Sequence, residues 1–215
     1  AEHVALNSFR AAYQRETLQR LGVDATRVVA TDELRHARFE RLLVPAFAGV
    51  SGFPPRWVCD FLVRTLPPAP ADPARPDPEL LYVSRQNGAT RRLHDADVVE
   101  RVIADAGFTT IFPERLTVAE QARLFRAARV VVGVHGSGFT NLVFCRPGTT
   151  VVELFQPGFA PHYFWVLARR MSLRWAAVMG TPATTGRPAD AVVVRPDDVA
   201  RALAAALGAP AAASR

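Results

Sequence analysis

Val130-Val131-Val132-Gly133-Val134-His135-Gly136-Ser137-Gly138-Phe139-Thr140-Asn141 is the stretch whose reading decides the fold. Val130–Val134 is apolar without interruption, the pattern of a strand covered on both faces of a parallel sheet. It runs into Gly-rich backbone and then into a short helix. In open α/β sheets, ligands collect outside the carboxyl ends of the strands. There the free N–H groups of a new helix and its dipole favour an anion. Gly136 and Gly138 would let a phosphate approach the backbone, and Ser137 and Thr140 add hydroxyl donors. Asn141 sits where it can reach a ligand or tie down the loop, and His135 where it can donate to a phosphate oxygen. The competing reading is a tight turn that uses glycine for conformation alone.

Two neighbouring features favour the anion site. Leu80-Leu81-Tyr82-Val83 reads as another strand, and Ser84–Arg92 follows it with Arg85, Arg91 and Arg92. Arginine makes bidentate contacts to phosphate; the alternative is a solvated basic loop. Glu153 stands in the otherwise apolar strand Thr150–Phe155. A buried carboxylate needs a partner, either ribose hydroxyls or a structural arginine or backbone pair. Together these mark residues 80–178 as a nucleotide-diphosphate-binding α/β unit.

Strands alternate with helices of βαβ length on either side. Residues 95–106 read as a helix with Val98, Val102 and Ile103 inward, ended by Gly107. Thr109–Phe112 is a strand, and Thr117-Val118-Ala119-Glu120 is a capping box opening a helix to Ala128. A helix over 160–170, strands at Leu173–Val178 and Val192–Val194, and a helix from Pro196 to Leu207 complete the pattern. Upstream, residues 9–21 read as a helix with Phe9, Tyr13, Thr17, Leu18 and Leu21 on one face, ended by Gly22. Short strands are expected at Val28–Ala30 and Leu42–Val44, and a helix over 54–66. Between the halves lies Pro67–Pro78, with six prolines in twelve residues, a composition incompatible with helix or central strand. The expected organisation is therefore a partial N-terminal α/β segment (1–66), a semi-rigid linker (67–78), a Rossmann-like parallel-sheet domain (79–207) and a flexible tail (208–215).

The chain has 215 residues, 49% hydrophobic and 21% charged, enough for a sizeable core. No apolar run is long enough to span a membrane. Ala1–Asn7 has no basic stretch followed by an apolar one, so no secretory signal is expected. The first residue is Ala rather than Met, as expected of a processed chain or a piece of a longer one. Cys59 and Cys145 are too few for a disulfide framework, so a reducing, cytoplasmic setting is the default. The net charge of +6 comes entirely from arginine on the basic side, since the sequence has no lysine. Arginine and alanine richness suggests a GC-rich bacterial genome. The scattered arginines argue against nucleic acid and fit an anionic small substrate. Peripheral contact at the inner membrane face, through Arg169, Arg170 and Arg174, is a secondary expectation.

The ordered motifs over about 100 residues resemble glycosyltransferase family 61. They run from Tyr82-Val83-Ser84-Arg85 and Ala89-Thr90-Arg91-Arg92-Leu93 through Pro113-Glu114, Gln121, Leu124-Phe125 and Ala127-Ala128. The most specific is Gly133-Val134-His135-Gly136-Ser137-Gly138 with Thr140-Asn141; Phe144, Pro147-Gly148, Val151-Val152-Glu153-Leu154 and Tyr163-Phe164 follow. Tyr13-Gln14-Arg15-Glu16 through Leu21-Gly22 resembles the family more weakly. The resemblance implies the GT-B architecture and an inverting transferase that uses a UDP-sugar without a divalent metal or other cofactor. Its acceptor would be a glycan or lipid-linked glycan of a surface-polysaccharide pathway. It implies that Arg85, Arg91, Arg92, His135 and the Gly136–Asn141 turn hold the diphosphate, that Glu153 holds the ribose and that Pro113-Glu114 flanks the uracil. No Asp-x-Asp stands where it could hold a metal diphosphate, so arginine and helix N–H groups would neutralise the leaving group. His135 is the candidate for a catalytic role, placed here as a phosphate or sugar ligand, while the general base belongs to the acceptor half. His94-Asp95 replaces the family's usual Asn-Glu, with Asp95 still expected to cap. The family's N-terminal His-Trp motif is not present in this sequence.

Other classes fit less well. A nicotinamide enzyme would place G-x-G-x-x-G after its first strand, whereas here the motif follows a later strand and Asn141 takes the sixth position. An α/β-hydrolase would need Gly where His135 stands. A non-catalytic nucleotide-sugar-binding fragment is the remaining alternative.

Overall fold

A computed structural model describes residues 2–7, 9–33, 36–88, 90–182 and 191–208. Ala89, part of one motif, and most of the expected tail (209–215) lie outside the described residues.

The central sheet is parallel throughout. Its strands are β3 (Leu80–Val83), β4 (Thr109–Ile111), β5 (Val130–Val134), β6 (Thr150–Phe155) and β7 (Arg174–Met179), in the spatial order β4-β3-β5-β6-β7. Alternation along the strands divides the core. Leu81, Val83, Val131 and Val151 face helices α2 (Arg56–Thr65), α4 (Val118–Ala127) and α5 (Tyr163–Arg170). Tyr82, Val130, Val132, Val134, Val152 and Leu154 face α3 (Ala96–Asp105) and α6 (Pro196–Gly208). Every residue of β5 and β6 is buried, as a strand covered on both faces must be. Each fully buried Val or Leu stabilises this arrangement by about 1.5–3 kcal/mol.

Connectivity creates one switch point. The chain leaves β3 through α3 to β4 on one side, then returns through α4 to β5 on the other. The two crossovers cover opposite faces, so a crevice opens outside the carboxyl ends of β3 and β5. The Arg85 and His135 loops begin at those two ends.

Helix ends follow the expected chemistry in most places. Thr117 and Glu120 form the reciprocal capping box of α4. The first two N–H groups of α4, on Val118 and Ala119, are taken at 2.6 and 3.1 Å by the Glu16 carboxylate of α1 (Ala12–Arg20). Gly22 and Gly107 follow α1 and α3 with φ of +75° and +87°. Asp95 occupies the N-cap position of α3 but makes no side-chain cap; it pairs with His94 at 3.4 Å.

Several expectations are corrected. Leu42–Val44 forms no strand, and these side chains are 58–79% exposed, because no neighbouring strand is there to pair with them. Val192–Val194 is buried but is not a sheet strand. It is a strap, bridged to Leu93 by Val192 and hydrogen-bonded through Val193 to Thr181 N–H at 2.8 Å. The unexpected strand β1 (Val4–Leu6) pairs in parallel with β2 (Val28–Ala30). Of the residues sharing one face of α1 and its C-cap, Tyr13 and Leu21 are 59% and 40% exposed. On α3, Val99 and Ile103 face the core while Val98 is half exposed.

The proline run Pro67–Pro78 lies between α2 and β3. Helix α2, on its N-terminal side, places Cys59 and Leu66 in the same core as Phe125 and Phe139. The run itself lies along α4, with Ala69 N–H donating to Ala119 at 2.9 Å and Asp77 paired with Arg123 at 3.5 Å.

Candidate functional site

The crevice is built from three loops. The first, Ser84–Arg92, is stiffened from within: Gly88 N–H donates to Arg85 O at 2.8 Å, and Arg92 Nε to Gly88 O at 2.6 Å. Gln86 Nε2 and the buried Tyr82 hydroxyl both donate to Glu100 Oε1 of α3, at 3.3 and 2.9 Å. Burial first, then the Glu100 charge, raises the Tyr82 phenol well above its ordinary range, so it stays a donor.

Arg85 projects from this loop onto the second. A Cβ built on Gly136 would stand 1.9 Å from Arg85 Nη1, so the guanidinium rests directly on that backbone. Arg85 Nη2 donates to Thr90 O at 3.2 Å, whereas its buried Nε has no hydrogen-bond partner. No carboxylate forms an ion pair with Arg85 among the described residues. Burial, then the like charge of Arg91, pulls its guanidinium below the ordinary arginine value. A half-buried cation with an unsatisfied N–H at a switch point is suited to an incoming anion.

Arg91, at φ +55°, lies over the Phe159 ring at 5.3 Å, and that ring meets His135 edge-on at 5.6 Å. Arg92 turns back onto its own loop and is exposed.

In the second loop, Gly136 is buried, Ser137 and Thr140 are exposed, and Ser137–Phe144 is a 3-10 run rather than an α-helix. Asn141 takes the second of the roles open to it. Its Nδ2 donates to Gly138 O at 3.1 Å and to Gln121 Oε1 at 2.7 Å, tying the loop down. Gln121 in turn donates to Pro113 O at 2.9 Å and Leu116 O at 3.1 Å, anchoring the third loop. Gln121 is thus the hub that registers two loops. Its signal in the sequence is a lone polar side chain among Ala119, Ala122 and Phe125 on the inward face of α4. Pro113 is buried near Gly138, and Glu114 accepts from Asn87 at 2.8 Å, closing the third loop onto the first.

Glu153 is paired within the protein. Its side chain has no exposed surface, and both oxygens are occupied. Oε1 is 2.5 Å from His135 Nδ1, and Oε2 accepts from Trp175 Nε1 at 2.7 Å. Nothing in the sequence marks Trp175, because β6 and β7 become neighbours only in the sheet. His135 stacks on Phe155 at 5.3 Å and touches Phe164 at 5.1 Å and Tyr163 at 6.1 Å. Among the described residues no three His, Cys, Asp or Glu side chains converge on a point that could hold a metal ion. No helix is long and apolar enough to cross a membrane, among the same residues.

A beta-1,2-xylosyltransferase of Oryza sativa subsp. japonica is 31% identical over 77 residues, covering 36% of this chain and 14% of that protein. A beta-1,2-xylosyltransferase of Arabidopsis thaliana is 30% identical over 63 residues, covering 29% and 12%. A xylan glycosyltransferase of Arabidopsis thaliana is 28% identical over 102 residues, covering 45% and 20%. The matched regions thus span a fifth or less of these curated relatives. The family model described as Glycosyltransferase 61 matches residues 9–152, from helix α1 through β5 and into β6. The chain belongs to glycosyltransferase family 61.

Proposed function

We propose that this chain carries the donor-binding half of a glycosyltransferase that moves a sugar from a UDP-sugar, with inversion, to a hydroxyl of a glycan acceptor. The observation that carries this reading is Arg85: a half-buried cation, unpaired by any carboxylate among the described residues, seated on Gly136 at the switch point of the sheet. The diphosphate would lie against Arg85, Arg91 and the N–H groups of the Gly136–Asn141 turn. These groups stabilise the charge that develops on the leaving UDP, which is the work a divalent metal does elsewhere. His135 completes the diphosphate wall, and the backbone around Pro113 flanks the base. The ribose is held by backbone and hydroxyl groups of these loops rather than by Glu153. The general base belongs to an acceptor lobe outside these residues, and the role is in surface-polysaccharide synthesis on the cytoplasmic side. The names of the plant relatives make a xylosyl donor the first to try.

Calorimetry with UDP, in the presence and absence of EDTA, tests the reading. Micromolar binding unchanged by EDTA is expected. Absence of UDP binding, together with binding of a nicotinamide dinucleotide, overturns it.

A further inference from the structure

His135, Glu153 and Trp175 form a hydrogen-bonded chain that runs from β7 through β6 to the loop after β5. We propose that Glu153 and Trp175 are positioning residues that fix which nitrogen of His135 carries its proton. That proton sits on Nδ1, leaving Nε2 to face the ligand.

The argument is one of donors and acceptors. An indole N–H can only donate, and an ionised carboxylate can only accept. Trp175 occupies Glu153 Oε2 at 2.7 Å, which leaves Oε1 for His135 Nδ1 at 2.5 Å. Nδ1 therefore bears a hydrogen. Glu153 has no exposed surface, so no bulk water competes for it. The ring is held between Phe155, Phe159, Tyr163 and Phe164, and its backbone N–H donates to Leu154 O at 3.0 Å. Nε2 has no partner among the described residues. The titratable and charged groups around the ring are Glu153 from β6 and Tyr163 from α5, with Arg85 over the adjacent Gly136 and Arg91 over Phe159.

The consequence rests on reading the loop as a diphosphate site. With Nδ1 committed to Glu153, Nε2 can donate to phosphate only when the ring is doubly protonated. Loss of that proton turns Nε2 into an acceptor facing an anion. A neutral wild-type ring should therefore bind UDP less tightly than a ring whose proton sits on Nε2.

Glu153→Gln reverses the tautomer, and Trp175 dictates how. The introduced amide must turn its oxygen to the indole N–H, so its NH2 faces His135 Nδ1. Nδ1 then accepts, the proton moves to Nε2, and the ring donates to phosphate without being charged. In the double variant Glu153→Gln/Trp175→Phe the indole constraint is gone, the amide is free to rotate, and neither tautomer is imposed.

Long-range 15N–1H correlation spectra of the ligand-free chain, at a pH where the ring is neutral, read the tautomer directly. The expected result is a proton on Nδ1 in the wild type, on Nε2 in Glu153→Gln and a mixture of the two tautomers in the double variant. A wild-type spectrum with the proton on Nε2 overturns the proposal whatever the variants do, as does a folded Glu153→Gln that leaves the tautomer unmoved. Calorimetry with UDP at the pH of the spectra, compared between the three proteins, is the second arm. Glu153→Gln should bind UDP about tenfold more tightly than the wild type, and the double variant should lose part of that gain. Equal affinity in all three overturns the positioning role. If UDP binds to none of them, the diphosphate reading fails while the spectra still judge the relay.

Discussion

The guanidinium of Arg85 rests on the backbone of Gly136, so close that a methyl group on that glycine would lie 1.9 Å from Nη1. The contact joins the ends of two strands that are 47 residues apart between Val83 and Val130 but hydrogen-bonded neighbours in the sheet. Arg85→Ala should therefore weaken UDP binding at least about tenfold, the scale of one charge-assisted hydrogen bond. Thermal stability should change little, because the side chain gives the protein a single hydrogen bond, at 3.2 Å to Thr90. Arg85→Lys should not restore binding, since a compact ammonium lacks the planar fork. Calorimetry and a melting curve on each variant check all three statements.

Gly136→Ala should act through Arg85. The added methyl displaces the guanidinium, so the single variant should lose UDP affinity much as Arg85→Ala does. The double variant should lose no more than either alone. A double-mutant cycle measures this, and additive losses would show that the two residues act independently.

The buried carboxylate is costly to orphan or remove. Glu153→Ala leaves the Trp175 and His135 donors unsatisfied inside the protein and should destabilise the fold by about 3–5 kcal/mol. Trp175→Phe keeps the pair with His135 but strips Oε2 of its donor, at about 1–3 kcal/mol. Denaturant titrations followed by circular dichroism give both values, and a smaller loss for Glu153→Ala than for Trp175→Phe would contradict the assignment.

Helix α4 depends on caps from two sources. Thr117→Ala and Glu16→Ala should each cost about 1 kcal/mol, the first by breaking the capping box, the second by freeing the Val118 and Ala119 N–H groups. The first loss should depend on pH. Hydrogen bonds from Thr117 hold the Glu120 carboxyl below its ordinary value. A depressed carboxyl stabilises the fold above its unfolded pKa and loses that contribution as pH falls through the folded one. The wild-type advantage over Thr117→Ala should therefore shrink in acid, as melts at neutral and acidic pH will show.

Cys145 is buried, and burial pushes its thiol well above the ordinary cysteine range. Cys59 is shifted the same way for the same leading cause. Both should resist thiol reagents in the native state and react at the rate of global unfolding when denaturant is added. Rapid native labelling of either one would contradict its packing.

What the amino-acid sequence determined by itself is local. The apolar run Val130–Val134, the capping box at Thr117, the glycines after α1 and α3, and the basic and Gly-rich loops after β3 and β5 are each specified within a few residues, because period, capping and turn chemistry act at that range. The tertiary structure decided everything that depends on which segments meet. It made Val192–Val194 a strap rather than a strand and left Leu42–Val44 unpaired, since an apolar triplet becomes a strand only if another strand lies beside it. It drew α2 across the proline run into the main core. It gave Glu153 to His135 and Trp175, because strand order brings β5, β6 and β7 side by side and no spacing along the chain encodes that order.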